Sequence, residues 1–257
     1  MVSGIFEALL ELRHALIFYF EAMKEVDVHI RLARGVQDYQ KIVELEKQVW
    51  GYTDPADLAA VPILMIANRF GGAVLVAEDP SQRLIGFAMA NLGRSSQKKL
   101  FWWSHMTAVA PGYQNRGVGL QLKLRQREEA LAAGIDEIHW TFDPLQALNA
   151  HFNLRKLGVI VREYEENVYG HSTSRLHQGL PTDRFVAEWR LKADRAKSTG
   201  SDQVLLEIPA NINELRRTDI LSAKAWQDRI REACQRYFAA GYVVTDFVEG
   251  HYVLEKE

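Results

Sequence analysis

The residues best suited to do chemistry lie in one run, Met106-Thr-Ala-Val-Ala-Pro-Gly-Tyr-Gln-Asn-Arg-Gly-Val-Gly-Leu120. A strand ending near Val109, a turn through Pro111-Gly112 and a helix starting near Gly117 would leave several backbone N–H groups without an intrahelical acceptor. Those donors sit at the positive end of the helix dipole, which suits a pyrophosphate. Gly117 and Gly119 let the main chain come close to the anion, and Arg116 can add a full charge. Two familiar phosphate loops fail on their own residues. Gly112 to Gly117 has the glycine spacing of a P-loop, but Val118-Gly119 stands where Lys-Ser/Thr is required; Gly117-Val118-Gly119 opens like a dinucleotide fingerprint and lacks the third glycine.

Other reactive groups are placed by their spacing. His105 precedes Thr107 by two residues, on the same face of an alternating strand, and is a candidate base. His151 and Asp143 fall near the end of the next strand, His151 as a second candidate. Arg155, Lys156, Arg162, Asp183-Arg184 and Glu188 are further charged candidates, and an arginine among them would suit a carboxylate-bearing substrate, although most such residues are solvated surface charges. Trp102, Trp103, Trp140 and Trp189 fall on strands and are expected in the core. Cys234 is the single cysteine, so an internal disulfide is excluded, and nothing near it suggests activation for covalent catalysis. No His/Asp/Glu cluster has metal-ligand spacing, and no metal is expected.

The elements that must position these groups follow from periodicity. A strand over 29–33 is followed by a helix over 36–49 and a second over 57–69, with Pro62 within its first turns. Strands are expected over 73–77, 84–92 and 100–109. A helix over 117–133 carries Leu120, Leu124, Arg127 and Leu131 along one stripe, and a short strand over 138–141 comes next. A helix over 149–157 closed by Gly158 and strands over 159–169 and 184–191 complete the unit. Residues 192–202 are polar and aperiodic, a linker. Beyond it a strand (204–208), a helix (222–240) and two strands (242–247, 251–255) are expected. This alternation predicts a layered α/β (α+β) fold.

Composition narrows the function. Of 257 residues 47% are hydrophobic and 25% charged, as in globular proteins, and 31 Lys+Arg against 33 Asp+Glu give a net charge of −2. Such a balance predicts no general affinity for nucleic acid or for an anionic membrane. The apolar run 15–20 is too short to span a bilayer and lies within an amphipathic helix over 5–25. That helix is expected to pack on its own domain, with a homodimer contact as second choice, and the expected compartment is the cytoplasm.

Gln114-Asn115-Arg116-Gly117-Val118-Gly119 resembles the Q/R-x-x-G-x-G/A signature of the GNAT acetyltransferases. Asn149-Ala-His-Phe-Asn-Leu-Arg-Lys-Leu-Gly158 is similar to the family's Asn-containing helix, and the order of elements from His29 to Leu191, about two thirds of the chain, looks like the family's. Phe142-Asp-Pro-Leu-Gln, Tyr169-Gly and the run from Gly179 to Trp189 look like a branch with a C-terminal extension. The resemblance implies a mixed, mostly antiparallel sheet flanked by helices. It divides the chain into an N-terminal extension (1–26), an acyltransferase domain (27–191), the linker and a β-α-β-β extension (203–257). It implies acyl-CoA as co-substrate, its pyrophosphate on the amides of Gln114, Asn115, Arg116, Gly117, Val118, Gly119 and Leu120. Its pantetheine arm would lie along Thr107, Ala108 and Val109, with Asn149 bonding the arm or the thioester. An N–H near Thr107 or Ala108 would polarise the thioester carbonyl. The implied reaction is direct transfer of an acetyl or succinyl group to a small amine, an amino acid being one candidate. One position departs from the family: Leu154 stands where many members carry a tyrosine that protonates the leaving thiolate. The alternative is a non-catalytic acyl-CoA binder with a sensing or assembly role.

Overall fold

Short polar breaks between apolar runs fold the chain back on itself. Asp79 accepts the N–H groups of Ser81 and Arg83, and Ser95 Oγ accepts that of Lys99. Gln82 and Lys98 turn through positive φ. The two hairpins join β2 (Ala73–Glu78), β3 (Leu84–Arg94) and β4 (Leu100–Val109). The computed structural model describes residues 26–170, 180–193 and 202–257; the helix expected over 5–25 and most of the linker lie outside the described residues.

Before the hairpins run β1 (His29–Leu32), α1 (Gly35–Trp50), a 3-10 turn at Pro55–Asp57 and α2 (Val61–Arg69). The expected helix over 57–69 therefore starts four residues late. Pro62, lacking an N–H, sits in the first turn of α2, where none is needed, and marks the start of the helix. After β4 come α3 (Val118–Ala132), β5 (Glu137–Phe142) and α4 (Ala147–Ala150), which runs on as a π-helix through His151–Leu157. The chain then forms β6 (Ile160–Glu165), β7 (Arg184–Arg190), β8 (Gln203–Glu207), α5 (Ile212–Thr218), α6 (Ile220–Ala239), β9 (Tyr242–Val248) and β10 (His251–Lys256). The strand expected to reach 169 stops at Glu165, because Asp183 and Thr182 accept the N–H groups of Asn167 and Tyr169 into a turn. The extension is β-α-α-β-β: Asp219 ends α5 and caps α6 by accepting the N–H of Ser222.

The ten strands of the described residues form one sheet, in the order β1-β2-β3-β4-β5-β7-β6-β9-β10-β8. Every pair is antiparallel except β4 with β5, which are parallel and meet only at Trp102↔Ile138 and Trp103↔His139. Beyond Trp103 the two strands part. A second irregularity lies in the same strand: Met89 faces Met106 and Ala90 faces Ser104, so His105 is an extra residue, a β-bulge. The bulge shifts the side-chain phase. Trp102 packs in the core with Ala130 of α3, whereas Met106 and Ala108 pack with α1 and α2. Val109 returns to the α3 side, against Val118 and Leu122.

The buried face of α3 is Val118, Leu122, Gln126 and Ala130, joined by Lys123. The expected stripe through Leu120, Leu124, Arg127 and Leu131 is thus rotated, and Leu124 is left 44% exposed. The largest core cluster takes Ile138, Trp140 and Phe142 from β5 and Leu154 from the π-helix. It also takes Ile230 and Cys234 from α6 and Tyr252 and Leu254 from β10. The link between the two halves of the sheet is slight, a single pairing of Val161 with Val244.

Candidate active site

The parting of β4 and β5 opens a cleft of about 590 Å³. One wall carries Ser104, His105, Thr107 and Val109 of β4, and the other Trp140, Thr141 and Phe142 of β5. The mouth is the loop into α3, with Gln114, Asn115, Gly117, Gly119 and Leu120. The floor and far side carry Lys123, Asn149, His151, Phe152, Asn153 and Lys156. The β4 edge from Ser104 to Val109 that faces β5 has no strand partner, so it is open to an extended ligand.

The mouth has a geometry suited to an anion. Gly117 caps α3 at φ 83° and Asn115 lies at φ 60°, left-handed conformations that turn successive N–H groups to one side. No side chain caps the first turn of α3, so its donors are free for a ligand. A Cβ on Gly119 would meet only Val109 Cγ2, at 3.8 Å; no protein neighbour requires glycine there, and the space opens into the cleft. The loop is held by its own residues. Gln114 Nε2 donates to Val109 O at 3.0 Å, and Tyr113 donates its hydroxyl to Asp79 at 2.9 Å while Arg83 bonds the same hydroxyl. Among the described residues no Asp or Glu lines the cleft to repel phosphates. These features fit an acyl-CoA.

Of the residues picked out by sequence, His105, Thr107, Val109, Gln114, Asn115, Gly117, Gly119, Leu120, Asn149 and His151 are brought together on this cleft. Ala108 and Val118 are buried in the packing on either side of the sheet, and of them only the backbone can serve. Arg116 does not line the cleft; its guanidinium lies 5.8 Å over the Tyr113 ring. His105 remains exposed at the bulge, yet the protein around it removes enough water to lower its pKa. A neutral imidazole at pH 7 follows.

The charged residues offered for an acceptor are mostly committed elsewhere. Asp143 accepts the Leu145 N–H and pairs with Arg216 of α5 at 2.9 Å. Asp183 holds Arg231 and Tyr164, Arg162 holds Glu188 and Glu257, and Arg155 holds Asp246. Leu154 is fully buried in the core and does not line the cleft.

Sequence reasoning missed two groups. Lys123 is 3% exposed, and Glu46 of α1 is fully buried. Glu46 accepts the Ala59 N–H at 3.0 Å through one oxygen, while the other has no partner. Burial pushes its carboxyl up to about 7. A lone lysine or glutamate in an amphipathic helix reads as surface; only the rotation of the helix on its neighbours shows otherwise.

An open sheet with one splayed parallel pair, an uncapped helix start at its mouth and an acid-free cleft define an acyl-CoA-dependent N-acyltransferase scaffold. Residues 39–159 match the acetyltransferase (GNAT) family, and this segment is a GNAT acetyltransferase domain. Among curated proteins none matches this sequence. Solved structures that share the fold at low identity include the following two. The NatC complex bound to Gag peptide and CoA aligns with TM-score 0.51 at 13% identity, over 64% of this chain and 99% of that one. Chaetomium thermophilum Naa20 in complex with a bisubstrate analogue aligns with TM-score 0.50 at 17% identity, over 68% and 94%. Among the described residues no helix is long and apolar enough to cross a membrane, and no group of three or more His, Cys, Asp or Glu could hold a metal ion.

Proposed function

We propose that this protein moves an acetyl or succinyl group from CoA to a small primary amine, an amino acid among the candidates, by direct transfer in a ternary complex. The observation that carries the reading is the splayed β4–β5 pair with the uncapped, glycine-lined start of α3 at its mouth. The pyrophosphate would sit on the amides of Gly117 to Leu120, with Gln114 and Asn115 shaping the loop. The pantetheine arm would lie along the free edge of Thr107 to Val109, and Asn149 would bond it from the opposite wall. His105, neutral and at the bulge, would take a proton from the incoming ammonium; His151 lines the same cleft. Holding amine and thioester together supplies most of the rate, and a backbone N–H near the bulge polarises the carbonyl.

The apolar Leu154 favours a second reading, a CoA binder without turnover. Thermal unfolding with CoA, acetyl-CoA, succinyl-CoA, ATP and NAD in parallel tests the first step. CoA compounds at a hundredfold over Kd are expected to stabilise by about 2.7 kcal/mol, roughly 5–10 °C for this size, and ATP and NAD by much less. No shift with any CoA compound overturns both readings. Consumption of acetyl- or succinyl-CoA in an amine screen then separates enzyme from binder.

A further inference from the structure

The floor of the cleft holds a group that the proposed mechanism has not used. Lys123 points from α3 to the place where β4 and β5 separate. Its Nζ donates to Ser104 Oγ at 2.8 Å and to Gln126 Oε1 at 3.1 Å, and lies 3.7 Å from the centre of the Trp140 ring. Its immediate partners are thus a hydroxyl, an amide and a π face, and none is a carboxylate. The titratable groups facing the same cleft are His105 from β4 and His151 and Lys156 from the π-helix, and all are cationic or neutral. A buried amine without a counter-ion is costly to keep charged, and burial lowers this one to about 7. Apolar packing would serve the core at less cost, so the amine calls for a chemical explanation.

Direction along the cleft supplies one. The anion-binding turn lies at the Val109 end of β4, and α3 runs back from it, so Lys123 is about 7.5 Å deeper than Val118 along the helix axis. From Val109 to Ser104 the free strand edge extends about 15 Å. A ligand with its phosphates on the first turn of α3 and its arm on that edge brings its far end to Ser104, His105 and Lys123. The group at that end which becomes an anion during acyl transfer is the sulfur.

We propose that Lys123 is the proton donor to the departing CoA thiolate. The inference rests on the acyltransferase reading. The amine nitrogen attacks the acyl carbon, the C–N bond forms and the C–S bond breaks with its electron pair on sulfur. The Lys123 ammonium gives its proton to that sulfur, and the proton shed by the new amide nitrogen returns to the neutral lysine. Ser104 and Gln126 hold the Nζ while it changes charge. Lys123 is then a catalytic residue, and Ser104 a positioning residue.

The test needs no knowledge of the acceptor. The ultraviolet absorbance of the thiolate is followed as a function of pH for CoA bound to wild type, to Lys123→Met and to Lys123→Gln, with a desulfurised CoA as blank. Lys123→Met removes a buried amine and Lys123→Gln retains a hydrogen bond to Ser104; both are expected to melt near wild type and to keep a CoA-induced thermal shift. The Lys123 ammonium and the bound thiolate stabilise each other, so at pH 7 the wild-type complex is expected to hold at least about tenfold more thiolate than either variant, the equivalent of one pKa unit. Equal titration in all three, with CoA bound, overturns the proposal alone. No binding of CoA to wild type overturns it together with the reading beneath it. Acylation of Lys123 itself by acetyl-CoA without an acceptor, seen by intact mass and peptide mapping, also overturns it, because the amine would then be a nucleophile.

Discussion

At the scale of single residues, the informative groups are those whose burial conflicts with their charge. Glu46 is one. Its folded pKa, about 7, is above the ordinary carboxylate value, so the native state holds a proton that the unfolded chain releases. The associated stability is present below the unfolded pKa and is lost as pH rises through 7. Glu46→Gln imitates the protonated form. It is expected to raise Tm by about 3–6 °C at pH 8.5, the equivalent of 1–2 kcal/mol, and to leave Tm unchanged at pH 4. Thermal melts at the two pH values decide it: an equal shift at both would mean that charge burial is not the cause. Lys123 obeys the same logic with the opposite sign, since its neutral form is the one that burial favours.

At the scale of elements, the loop into α3 was legible in the sequence because its signal is local. A strand end, a turn and glycines at fixed offsets need no tertiary information, and the β2–β3 hairpin is marked by Asp79-Pro80-Ser81-Gln82 for the same reason. What was illegible depended on contacts between distant segments. The bulge at His105 is a property of the β3–β4 register, so strict alternation gave no hint that Trp102 and Val109 share a side of the sheet. The buried stripe of α3 was misread because Leu124 is as apolar as Leu122, and only the position of β4 tells them apart. Gly119 offers a direct test of the loop. Gly119→Leu meets little protein and is expected to fold with Tm within about 3 °C of wild type, a change below 1–2 kcal/mol. It should abolish the CoA-induced shift, because the side chain occupies the anion's approach. A retained shift would place the ligand elsewhere.

At the scale of the whole molecule, the C-terminal segment is built into the active half. Arg216 of α5 pairs with Asp143, Asn213 exchanges two hydrogen bonds with Gln146, and Tyr252 donates to Pro144 O at 2.6 Å. Together they fix the turn between β5 and α4, and with it the placing of Asn149 on the cleft. Arg216→Met leaves Asp143 without its cation in a site only 12% exposed. It is expected to cost about 3 kcal/mol in urea unfolding, and a paired Asp143→Asn, Arg216→Met chain should recover part of that loss. Removing 203–257 takes Tyr252, Leu254, Ile230 and Cys234 out of the largest core cluster. The shortened chain is expected to lose cooperative unfolding and its near-ultraviolet circular dichroism; a sharp transition would show the first part to be self-sufficient.

The bulge also sets which genetic changes the fold can absorb. The extra place in β4 does its work by being counted, whatever side chain fills it, so a codon exchanged at 105 leaves Trp102 bonded to Gly71 O and alters the reactive surface alone. A codon deleted there would turn Trp102 and Ser104 to the opposite side and strand the Lys123 amine. Substitution at 105 should therefore yield soluble protein with altered chemistry, and deletion an aggregate, a contrast that expression of the two genes side by side would expose. The strand carries one position open to variation whose existence, in the reading frame, is fixed.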